Sequence, residues 1–186
     1  MMEAYGSGYV KEEAMLISHA LNAALNEQIG HEFGASLQYV GIAAYFDREN
    51  LPVLAAHFYR QADEERAHAL RIVRFLIDAG GQVAIPAVPA GKSDFASAEE
   101  AVQLSLDWEL QVTDQINHLV DLAMRENNHI TKTFLDWFVN EQLEEVSSMD
   151  RLLGMVRRAG ESGLLLVEHY LATRGGEQAA SEGNAG

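Results

Sequence analysis

Glu65 and His68 stand three residues apart in YRQADEERAHALRIVRFL, residues 59–76, the spacing that places two side chains on one face of a helix. The rest of that face is apolar: Leu54, Phe58 and Ala62 come before the pair, Ile72 and Leu76 after it. Three other segments with helical periodicity carry the same fault once each. Glu32 interrupts the stripe Leu21, Leu25, Gln28, Ala35, Tyr39, Ile42, Phe46. Glu109 interrupts Val102, Ser105, Val112, Ile116, Leu119, Ala123, and Gln142 with Glu145 interrupts Phe134, Phe138, Met149, Leu152, Val156. Buried carboxylates are costly unless paired or metal-bound. Several together are best reconciled by cations. Carboxylate oxygens with one imidazole and no sulfur suit iron or manganese, with zinc as a competitor. The number of carboxylates points to two ions, some carboxylates bridging them.

Each fault falls near the middle of its helix, so in a bundle all would meet in one layer whichever way each helix points. The expected helices span about 16–46, 50–79, 97–125 and 131–158, with no sustained strand alternation. Asn50 reads as the N-cap of the second, with Pro52 in its first turn. Ser97 with Glu100 forms a capping box for the third. The fold class is therefore all-α, a four-helix bundle. GGQVAIPAVPAGKSDFAS, residues 80–97, can stretch to roughly 60 Å. The second helix is about 43 Å long at its rise per residue. This crossover can thus run the length of the bundle and make the second and third helices parallel. GLLLVEHYLATR suggests a short fifth helix. Residues 1–15 read as an extension, 16–173 as one domain, and 174–186 as a polar, disordered tail.

Composition narrows the function. The chain has no cysteine, which excludes disulfides, thiolate zinc and cysteine-bound clusters. A net charge of −15 argues against a nucleic-acid partner, which needs a basic surface, and is compatible with attraction of cations. No signal peptide and no span long enough for a bilayer is present, so a cytoplasmic protein with no membrane partner is expected. A second E-x-x-H, Glu126 to His129, lies at a helix break and reads as surface or pore lining. His19, His31, His57 and His118 read as surface or core-edge residues, and Tyr39 and Trp137 as core with access to the metal layer.

The segments LNEQIGHEFGASLQYV, FYRQADEERAHALRIVRFL, LDWELQVTDQIN and FLDWFVNEQLEEV resemble the non-haem bacterial ferritins, more closely the actinobacterial type, over about residues 20–172. Ferritin-like dimetal sites are a known instance of metal binding in a bundle core, usually with E-x-x-H on two helices. Here the fourth helix offers Gln142 and Glu145 instead, which departs from haem-containing bacterioferritin and matches the ferritin type. The resemblance implies a shell of 24 identical subunits that oxidises Fe(II) with O2 or H2O2 and stores ferric mineral. It implies that Glu32, Glu65 and His68 bind one iron, that Glu65 bridges, that Glu109, Glu145 and Gln142 bind the second, and that Tyr39 sits beside them. It also implies a third iron position at Glu64, Glu141 and Glu144. Arg66 occupies the place where haem-binding relatives carry an axial methionine, so no haem is expected. The rivals are another dimetal oxidoreductase, a rubrerythrin-like peroxidase or manganese catalase, and a non-catalytic cage protein. The missing cysteine pair and the Gln-x-x-Glu argue against the rubrerythrin-like case.

Overall fold

The computed structural model describes residues 15–182, with side chains through 173. Five α-helices follow in order: α1 (His19–Arg48), α2 (Pro52–Asp78), α3 (Ala98–Arg125), α4 (His129–Ala159) and α5 (Leu164–Glu182), the last two separated by a 3-10 turn at Glu161–Gly163. No strand occurs among the described residues. α1 pairs with α2, α3 with α4, and α1 also packs on α3. The expected four-helix bundle with a fifth helix is the observed architecture. The 1–15 extension lies outside the described residues except for Met15. The backbone of 174–182 continues α5 as helix, and residues 183–186 of the expected tail lie outside the described residues. Extending an existing helix adds one hydrogen bond per residue fixed and avoids the cost of nucleation.

The 79–97 connection climbs along α1 from bottom to top, which makes α2 and α3 parallel. Its backbone is held by α1 side chains in rising register. Asn22 accepts from the amide of Gln82 at 2.9 Å, and Asn26 donates to the Gln82 carbonyl at 2.8 Å while accepting from the Ala84 amide at 2.6 Å. Higher up, Gln38 donates to the Lys92 carbonyl at 2.7 Å and accepts from the Lys92 amide at 2.8 Å. These amides replace the ladder that an irregular segment lacks. Glycines make the close approach possible: a Cβ on Gly30 would collide with Pro86, and one on Gly41 would lie 2.8 Å from the Lys92 carbonyl oxygen.

Ser18, Ser97 and Asn128 cap α1, α3 and α4 with their own side chains. α2 is different. Asn50 is not its cap; it sits at φ 60° in the turn, and the cap position belongs to Leu51, which has no side-chain acceptor. The acceptor comes from α5, where the buried carboxylate of Glu168 takes the Leu54 amide at 2.7 Å. Glu161 likewise takes the Ala98 amide of α3 at 3.0 Å. The fifth helix and the turn before it are thus docked on the end of the bundle, each through one acid. On α4, Leu135 is fully buried and Phe134 lies half-buried, stacked on Phe75 at 4.0 Å between centroids. The apolar core forms two clusters, one around Tyr39, Phe46 and Phe58, the other around Leu21, Ile72 and Phe138. The polar residues of the four interrupted stripes lie between them.

Candidate metal centre

All four helices deliver their interrupting side chains to one buried layer. Glu32, Glu65 and Glu109 are 1–2% exposed, and His68, Gln142 and Glu145 are 5–7% exposed. The ligand atoms of Glu32, Glu65 and His68 all lie within 4.8 Å of one another. His68 Nδ1 is 3.1 Å from Glu65 Oε2, and its ring meets Trp137 and Phe138 edge-on at 5.3 and 6.0 Å. Packing of this kind fixes the imidazole plane. Gln28, one turn before Glu32, donates to Glu32 Oε1 at 3.0 Å. The other oxygen of Glu32 and Oε1 of Glu65 are buried and have no hydrogen-bond partner. Two orphaned carboxylate oxygens beside an imidazole form a donor set that fits a divalent cation, because such groups are otherwise satisfied when buried.

The α3 and α4 side is closed on itself. Tyr39 donates its hydroxyl to Glu109 Oε1 in a short hydrogen bond. Gln142 donates to Glu109 Oε2 and to the Glu109 carbonyl, each at 3.2 Å. Glu145 accepts from Gln61 Nε2 at 3.3 and 3.5 Å. Gln61 had not been singled out in the sequence, although its place four residues before Glu65 puts it on the same helical face. Gln28 was read as a stripe position, and its link to Glu32 needed the structure.

Electrostatics follow from the burial. Removal from water lifts the Glu32 carboxyl well above the usual range, and the neighbouring Glu65 adds to it. Glu65 is lifted well above it too, by burial and then by Glu109 and Glu145. Burial also raises Glu109, against the lowering effect of the Tyr39 and Gln142 hydrogen bonds. Glu145 is pushed up to about 8 by burial, then by Glu109 and Glu64. The Tyr39 phenol is raised well above 10 by burial and Glu109, so it remains a donor. Burial thus favours the protonated acids and a cation favours the carboxylates, so metal binding here is coupled to proton release.

Beside the layer, Glu64, Glu141 and Glu144 line one open cavity of about 330 Å³ together with Gln61 and Glu145. Glu64 and Glu144 are exposed and Glu141 half-buried. Gln61 donates to Glu64, and His68 Nε2 is 3.9 Å from Glu141, so this cavity touches both halves of the buried group. Glu126 and His129 are exposed at the α3–α4 break, as are His19, His31 and His118, while His57 is half-buried. No helix among the described residues is long and apolar enough to cross a membrane.

The sequence matches the ferritin-like domain family over residues 22–159. It is 42% identical over 151 residues to ferritin BfrB of Mycolicibacterium smegmatis, covering 81% of this chain and 83% of that one. It is 36% identical over 161 residues to the bacterial non-heme ferritin of Staphylococcus aureus strain MRSA252, covering 86% and 97%. Among solved structures, the open pore ferritin of Archaeoglobus fulgidus superposes with a TM-score of 0.82 at 33% identity, over 84% of this chain and 97% of that one.

Proposed function

Because the chain belongs to the ferritin family, we propose that it stores iron and oxidises it on entry at the buried layer. Two ferrous ions are the substrates. Glu32, Glu65 and His68 receive the first, and Glu65 bridges to a second held by Glu109, Glu145 and Gln142. Each ion gives one electron to O2 or H2O2. Tyr39, protonated and bonded to Glu109, positions that carboxylate. The observation that carries this reading is the triad of ligand atoms within 4.8 Å, with two carboxylate oxygens left unsatisfied. Ferric ions are hard acids, so a carboxylate-rich set with one imidazole favours the product.

Ferric product leaves through the acidic cavity of Glu64, Glu141 and Glu144, a third and more open iron position. The mineral forms inside a shell of 24 subunits in the cytoplasm. Leu165 and Leu166 of α5 are 71% and 74% exposed in the single chain, apolar surface suited to contacts between subunits. The exposed Arg66 is a poor haem ligand because it stays protonated. Native protein should therefore show no stoichiometric Soret band.

Stopped-flow absorbance after mixing iron-free protein with Fe(II) and oxygen tests the reading. A fast oxidation phase saturating at two irons per subunit is expected. Oxidation no faster than in protein-free buffer would refute it.

A further inference from the structure

The chain carries 13 lysines and arginines against 28 acids, yet four arginines line one cavity. It has a volume of about 630 Å³ and lies between α2, α4 and α5, with Arg60, Arg151, Arg157 and Arg158 in its walls. Arg157 is spent on Glu99 and Gln103, at 2.8 and 2.6 Å. The other three form no ion pair among the described residues. Arg60 bonds only the Ala56 carbonyl, at 3.3 Å, and Arg151 the Ser147 hydroxyl, at 2.6 Å. Asp150 also lines the space, so the wall keeps an excess of positive charge. A second observation is independent of the arginines. His57 lines the same cavity, and its Nε2 is buried without a hydrogen-bond partner. Burial and Arg60 hold this imidazole down at about 4, so it is neutral and has one N–H to give.

Guanidinium groups without a carboxylate partner and a spare imidazole N–H leave donors to spare for an anion. Guanidinium forks match the oxygens of a tetrahedral oxyanion in bidentate fashion. Position narrows the choice further. His57, Arg60, Ser148 and Arg151 also line the acidic cavity of Glu64, Glu141 and Glu144, so the basic and acidic spaces share a wall. Both lie on the α2/α4 face, opposite the side where the crossover covers α1 and Trp108 of α3 lies against Gly34. We propose that the α2–α4–α5 cavity binds inorganic phosphate through Arg60, Arg151, Arg158 and His57, beside the cavity by which iron leaves the buried layer. Given the iron-storage reading above, on which this last relation rests, phosphate and ferric iron would meet at one wall, and mineral would begin as ferric phosphate there.

Calorimetric titration of the assembled, iron-free protein with sodium phosphate near neutral pH tests the binding. Saturable uptake of one phosphate per subunit is expected, weakened about tenfold by Arg60→Ala or Arg151→Ala, the loss of one charge-assisted pair. Arg125→Ala, at the last residue of α3 and the opposite end of the bundle, should titrate like the native protein. Absence of saturable binding at millimolar phosphate, or equal binding in all variants, would overturn the site. Tighter binding of ADP than of phosphate would overturn its assignment to the free anion. Because no iron enters the titration, a missing oxidation phase in the stopped-flow experiment would sink the iron reading while leaving phosphate binding to stand or fall alone.

Discussion

The two halves of the buried layer are built differently. On α1 and α2, Glu32 and Glu65 each keep a buried oxygen unsatisfied. On α3 and α4, Glu109 is bonded by Tyr39 and Gln142, and Glu145 by Gln61. The first half offers a cation one buried oxygen on each carboxylate that no hydrogen bond engages. The second half must give up at least one hydrogen bond to take a metal, which costs about 0.5–1.5 kcal/mol for a neutral donor and more for a charged acceptor. Occupancy should therefore be sequential, with the second ion the more weakly held.

The largest expected effect comes from Glu65, which serves both halves. Glu65→Ala should abolish the fast oxidation phase while native mass measurements still show an assembled, folded protein, because a buried acid cluster is being relieved. A native-like burst in this variant would break the comparison at its root. Glu32→Gln should be next. It ought to lower affinity for the first Fe(II) strongly in anaerobic titration, whereas Gln142→Ala should lower only the second step. Equal losses at both steps would show that the halves do not act in order.

Tyr39→Phe should have a smaller effect, a few-fold slowing of the burst, since Glu109 loses one donor and keeps Gln142. A pH series sharpens the same contrast. The folded-state pKa of Glu145 is raised to about 8 from an ordinary value near 4.5. The folded iron-free protein therefore binds more protons than the unfolded chain between these values, and its stability falls as pH rises through that window. Thermal unfolding of iron-free protein should show Tm declining from about pH 5 to pH 8, with Glu145→Gln flattening the slope. A native Tm that rises over this range would contradict the assignment. The smallest effect is expected outside the layer. Glu144→Ala should leave the first burst intact and alter repeated turnover, followed as oxygen consumed per iron.

The sequence carried much of this. One polar fault per apolar stripe, at mid-helix, is legible because helical period and helix midpoint are both local properties. The shared layer and the ligand types follow from it, while the crossover follows from the length of residues 80–97. Other features were not legible because they depend on partners distant in sequence. Asn50 is a good capping residue by type, yet α2 is capped by Glu168, 114 positions from the amide it accepts. Gly30 and Gly41 look like weak points in a helix and are the places where the crossover lies against α1, through the Pro86 ring and the Lys92 carbonyl respectively.

Which helices form, which face each buries, and which four faces carry acids that a core cannot hold unpaired can all be read from the chain alone. These follow from local periodicity and the cost of burying charge. The tertiary structure alone decided which of those acids are left unsatisfied and which are bonded by Gln28, Gln61, Tyr39 and Gln142. It also brought the arginines of α2 and α4 to one wall beneath α5. Such pairings depend on helix rotation and height to within the length of a hydrogen bond, a precision that comes only from packing the two apolar clusters above and below the layer.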